Sequence, residues 1–137
     1  MNYLLDTNAC IALLNGNPPL VRARFRKVTG AGARVFVSSI VSFELWYGVA
    51  KSARKDFNTK RLEAFFAGPI AILSFEQDDA EMAGAIRGNL ETSGKPIGAY
   101  DVLIAGQALR HKLVLVTANV SEFSRVKGLD WQDWAKT

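Results

Sequence analysis

One cysteine and one histidine are all that this 137-residue chain contains of either type. A lone Cys10 excludes an internal disulfide and any cysteine-built zinc site, and it reads as a small residue on a helix face rather than a reactive thiol. A lone His111 excludes the paired-histidine metal motifs; flanked by Arg110 and Lys112, it reads as a cationic helix end, favoured by the negative pole of the helix dipole. No apolar run approaches the ~20 residues of a membrane span. The acid at position 6 also interrupts any basic-then-apolar leader, so a cytoplasmic protein without a membrane partner is expected. Phosphate-cradling glycine loops are lacking too, since "GAGAR" precedes a strand instead of opening a helix.

What is present is the balance of a globular protein: 49% hydrophobic and 22% charged residues, in a length suited to one domain over 1–137 with its own core. The net charge of +4 is small but uneven. Between residues 22 and 63, ten Lys and Arg stand against only Glu44, Asp56 and Glu63. Such a field favours a polyanion, nucleic acid being the usual one, although helices carry surface cations routinely.

Short apolar runs alternate with helical patterns, which predicts an α/β fold: a parallel, doubly wound sheet of four to five strands with helices on both faces. "YLLD" opens as a strand, "RVFVSS" and "IAILSF" follow as the second and third, and "LVLVT" is the fourth. "VKGLDWQDW" supplies a last edge strand anchored by Trp131 and Trp134. Between them, "TNACIALLNGN", "PPLVRARFRKVTG", "IVSFELWYGVAKSAR", "FNTKRLEAFFAGP" and "EQDDAEMAGAIRGNLETSG" read as helices, and "KPIGAYDVLIAGQALRHK" as a loop leading into a helix over 102–109. "ANVSEF" is a turn or short helix. Ser38 and Ser39 offer N-caps for the third of these helices, whose packing side is expected to carry Ile40, Phe43, Leu45 and Tyr47.

On that plan Asp6 ends the first strand, Glu44 lies a turn and a half into the helix after the second, and Asp101 sits near the start of the helix before the fourth. Thr117, Asn119 and Glu122 follow the fourth strand at the same end. Each acid alone has a plain explanation as a helix cap or a solvated face. Together, in apolar surroundings, they repel one another unless a cation sits among them. With neither histidine nor cysteine available, the ligands are all oxygen, which suits Mg²⁺ or Mn²⁺. A hard cation on a few carboxylates is the equipment of phosphodiester hydrolysis, and nearby Lys and Arg suit a nucleic-acid strand.

The blocks "LLDTN", "VSSIVSFELWYG", "PIGAYDVLIAGQAL" and "LVLVTANVSEFSRVKGLDWQDW" resemble, in order and spacing and over essentially the whole chain, the PIN-domain ribonuclease toxins of bacterial toxin–antitoxin modules, the VapC family. The resemblance implies an α/β/α sandwich and a Mg²⁺- or Mn²⁺-dependent endoribonuclease, often acting on structured RNA such as transfer RNA to inhibit translation. It assigns Asp6, Glu44 and Asp101 as the catalytic, metal-holding acids, and Thr7, Asn8 and Thr117 as polar supports that orient acids or water. Many members carry an Asp where this chain has Asn119; Glu122 is the nearest acid and would complete the catalytic set directly or through water. The family also implies a homodimer, a cognate antitoxin lying along a groove, and a larger hetero-oligomer with it. Trp46, Tyr47, Phe65 and Phe66 are candidates for that groove or interface, or for ordinary core.

Two other enzyme classes fit less well. An aspartyl phosphatase needs a second Asp two residues after the first, where this chain has Asn8, and a phosphoryl receiver needs an acid pair and a lysine that do not occur in place. A non-enzymatic alternative, a catalytically weak domain that binds RNA or protein, stays open because the fourth family Asp is replaced.

Overall fold

A computed structural model describes residues 1–136. β1 (Tyr3–Leu5) leads directly into α1 (Thr7–Asn15), and α2 (Pro19–Gly30) precedes β2 (Val35–Ser38). α3 (Ser39–Ala50) and α4 (Lys55–Ala67) lead to β3 (Ala71–Leu73), followed by α5 (Gln77–Thr92) and α6 (Ala99–Arg110). β4 (Val114–Val116), the one-turn α7 (Val120–Phe123) and β5 (Trp131–Gln132) close the chain. The five strands form one sheet in the order β3-β2-β1-β4-β5, parallel throughout. β1 and β4 occupy its middle and are buried along their whole length, as uninterrupted apolar strands covered on both faces must be. The edge strand β3 instead leaves Ile72 exposed.

Strand order reverses between β1 and β4, in register from Tyr3 opposite Val114 to Leu5 opposite Val116. At such a reversal the connections leave in opposite directions, and a crevice opens beyond the carboxyl ends of the strands. Asp6 and Thr117 are the first residues past those ends.

Two of the ten clustered cations are structural. The guanidinium of Arg22 donates to the Leu13 carbonyl and that of Arg61 to the Leu14 carbonyl, both at 2.7 Å. These carbonyls lie where α1 ends at Gly16, whose φ of 65° is the left-handed conformation that terminates helices and whose N–H also reaches the Leu13 carbonyl at 3.3 Å. Arginine is favoured there by charge as well as by its donors.

Three expectations need correction. On α3 the buried residues are Val41 and Leu45, while Phe43 and Tyr47 face outward, each 57% exposed; a helix so apolar all round gives no periodicity to choose its inner face. α6 begins at Ala99, a turn earlier than "KPIG" suggests, because Gly98 supplies the extended N-cap conformation. Trp134 is the expected anchor, buried and edge-on to Tyr3 with ring centroids 5.3 Å apart, but Trp131 is not: it remains 37% exposed on β5.

Candidate metal-dependent active site

Asp6 reaches the crevice because β1 ends there. Its Oδ1 accepts the Ala9 N–H at 2.8 Å, so it is also the N-cap of α1. Burial pushes the Asp6 carboxyl above its ordinary value; the Thr117 hydroxyl and the Ala9 N–H hold it down, while Glu44 and Asp133 add to the rise. Thr117 is itself buried at the end of β4, and its Oγ1 accepts the Asn119 N–H at 2.9 Å, which turns the chain after the strand.

Glu44 comes from α3, which starts beside β1 because Ser38, the last residue of β2, caps it by accepting the Ile40 N–H at 3.0 Å. Glu44 is half-buried, and Oε1 accepts the Thr7 hydroxyl at 2.8 Å. Thr7 therefore fixes an acid 37 residues away, an orienting role that sequence spacing cannot reveal.

Asp101 stands in the first turn of α6. Its carboxyl is pushed up to about 7, first by burial, then by a hydrogen bond to Glu122 and the charges of Glu122, Asp6 and Glu44. Glu122 moves the opposite way: Asp101 as hydrogen-bond partner, the Asn119 side chain and the Gly98 N–H hold it below the ordinary carboxylate range. Burial and Glu122 thus favour the protonated form of Asp101, while Asp101 and Asn119 favour the ionised form of Glu122. Asn119 sits between them, its Nδ2 2.8 Å from Glu122 Oε2 and 3.5 Å from Asp101 Oδ2. A side chain at Gly98 would meet Asp101 Oδ2 at 3.3 Å, which gives the glycine of "PIG" a steric reason.

All eight residues singled out in the sequence lie at this end of the sheet. Asn8 is exposed on the first turn of α1 and lines a cavity of about 260 Å³ with Thr117. One acid was missed. Asp133, just after β5, raises the Asp6 carboxyl and lines the same cavity; the aromatic block "WQDW" drew attention to its tryptophans instead.

The donor set fits a hard cation. Burial first, and the neighbouring acids after it, raise the proton affinity of Asp6 and Asp101, as expected where negative charge is concentrated. Cys10, beside Asp6, is buried and pushed well up, so it stays a thiol rather than a ligand. His111 caps the far end of α6, about 15 Å along the axis at 1.5 Å per residue, where its Nε2 lies 3.4 Å from Asp79. Among the described residues, no group of three or more His, Cys, Asp or Glu side chains stands close enough together to hold a metal ion.

Comparison with known proteins gives a consistent result. The family described as PIN domain matches residues 3–129. The tRNA(fMet)-specific endonuclease VapC of Shigella flexneri is 37% identical over 135 residues, covering 98% of this chain and 99% of the relative. Among solved structures, VapBC2 from Rickettsia felis bound to a DNA fragment from their promoter superposes with a TM-score of 0.91 at 34% identity, covering 98% and 99% of the two chains. DNA-bound VapBC from Salmonella typhimurium superposes with a TM-score of 0.89 at 37% identity, covering 98% of each.

Proposed function

The chain belongs to the PIN-domain family, and on that premise we propose that it is a metal-dependent endoribonuclease, the toxin of a toxin–antitoxin pair, that cuts RNA and so inhibits translation. One observation carries the chemistry: acids from separate parts of the chain influence one another's protonation at the reversal point between β1 and β4. Asp6, Glu44 and Asp101 are the residues that would hold a divalent cation, Mg²⁺ or Mn²⁺ by the hardness of an all-oxygen set. When bound, such a cation supplies Lewis acidity at the phosphodiester and offsets the charge that builds on the phosphate.

The chain's own residues supply the rest. Asp6 is held rigid by the α1 cap, and Thr7 fixes Glu44. Asn119 keeps Glu122 beside Asp101, which places a further carboxylate next to the metal-holding set. The Asn in place of the usual family Asp thus does not empty the position of charge, because it brings in Glu122. This favours the enzyme over the binding-module alternative. The RNA is transfer RNA or another structured RNA, and the partners are an antitoxin and a second copy of the chain.

The toxin reading is tested by inducing the chain in a bacterial host without an antitoxin. Growth arrest with falling protein synthesis is expected, and Asp101→Asn at equal expression is expected to leave growth normal. Arrest of equal depth by both proteins contradicts the reading.

A further inference from the structure

Trp131 and Trp134 stand three residues apart and do different things. Trp134 is 1% exposed, packs on Tyr3, and donates from Nε1 to Gln132 Oε1 at 3.0 Å. Trp131, on the outermost strand, has no such place in the core and borders a cleft of about 690 Å³. Arg24 from α2 and Lys136 line the same cleft, and the Arg24 guanidinium donates to the Lys136 carbonyl at 2.9 Å. This bond ties α2 to the chain end and holds both residues of the cleft together.

The cleft is not isolated. It shares Ala118 and Asp133 with the 260 Å³ cavity that Asn8 and Thr117 line, and Asp133 is near enough to Asp6 to raise its carboxyl. The two hollows therefore adjoin at Ala118 and Asp133, between the carboxyl end of β4 and the edge of the sheet. Asp133, which stands at the boundary, is the one acid lining the inner hollow; the outer cleft carries two cations and an exposed indole.

We propose that the Trp131 cleft is a subsite for single-stranded RNA next to the scissile phosphate, with a base stacked on the indole and the backbone phosphate drawn to Arg24 and Lys136. The inference rests on the ribonuclease reading for the position of the scissile bond. Stacking on an aromatic face, with cations tracking the backbone, is how single strands are gripped without sequence readout. A protein occupant suits the cleft less well: besides Trp131 its apolar lining is only Ala118 and Val120, amid Ser121, Gln132 and charged side chains. Asp133 keeps phosphate away from the divide, so the backbone contact falls on the outer cations.

The test measures binding of a fluorescein-labelled ten-nucleotide oligouridylate to the antitoxin-free protein in excess chelator, then cleavage with Mg²⁺ or Mn²⁺. Trp131→Ala is expected to weaken binding roughly ten- to hundredfold and Trp131→Phe less than about threefold. Each of Arg24→Gln and Lys136→Gln is expected to lower the slope of log affinity against log salt by about 0.7. In cleavage, Trp131→Ala should raise KM and leave kcat unchanged. An unchanged thermal midpoint confirms that the variant is folded, as an exposed edge residue allows. Equal RNA affinity in Trp131→Ala and the parent overturns the proposal; if the same variant loses antitoxin instead, the cleft is a protein site. Equal weakening by Trp131→Phe overturns the stacking role. If the parent cuts no RNA with either metal, the ribonuclease reading fails separately, since the binding comparison is made without cleavage.

Discussion

Asp6 serves as a helix cap with one oxygen while standing among the acids of the crevice, so capping α1 does not take it away from them. The identity of the acids was legible because each interrupts an apolar stretch. Their supports were legible only through family resemblance, since the Thr7 to Glu44 bond joins residues that no local spacing relates. Thr7→Val should therefore leave the fold intact and lower cleavage about 10- to 100-fold, as loss of an orienting partner does; steady-state kinetics beside thermal unfolding separates the two. The raised Asp101 carboxyl has a sign that can be checked. In the metal-free protein it binds its proton up to about pH 7, whereas the unfolded chain releases it near 4, so its contribution to stability is full below about pH 4 and lost as pH rises through 7. Glu122 acts oppositely, and only at the acid end, losing its stabilising contribution as pH falls below its ordinary range. Thermal midpoints in chelator should thus fall between pH 5 and pH 8. Asp101→Asn should flatten that fall, and added Mg²⁺ or Mn²⁺ should raise the midpoint of the parent at pH 8 by binding the folded state.

At the scale of elements, strands β1, β2 and β4 were readable from continuous apolar runs, and the helices from their starts and stops. The inner face of α3 was not, because "SIVSFELWYGVA" is apolar on every side and only packing decides that Val41 and Leu45 go inward. The contact between α5 and α6 was equally hidden. At Gly106 an added Cβ would lie 2.8 Å from the backbone and Cβ of Ala83, so the glycine sets how closely the two helices approach. Gly106→Ala should destabilise the protein by about 1–3 kcal/mol through overpacking, measured by denaturant unfolding. Next to it, buried Gln107 donates from Nε2 to the carbonyls of Leu73 and Ser74, at 3.1 and 3.2 Å, and so ties the end of β3 to α6. Gln107→Leu should cost about 1–3 kcal/mol by leaving those acceptors without their donor, while cleavage persists in the folded fraction.

The whole molecule follows from the order of its strands. A parallel sheet that winds both ways from β1 and β4 has one reversal point, and acids remote in sequence converge there because their elements start or end at that edge. The alternation of elements announced such a sheet; which pair of strands would be central follows only from their burial. The uneven positive charge gave a weaker signal, since Arg22 and Arg61 are spent on the end of α1, whereas Arg24 lines the cleft beside Trp131. The central claim is that these acids hold a divalent cation that cuts RNA. It is tested most directly by incubating the antitoxin-free protein and its Asp6→Asn variant with total cellular RNA, in Mg²⁺, in Mn²⁺ and in excess chelator, and mapping the new RNA ends. Discrete ends that require metal and are absent with the variant are the predicted result; intact RNA from the folded parent in every condition, or the same ends in chelator, would contradict it.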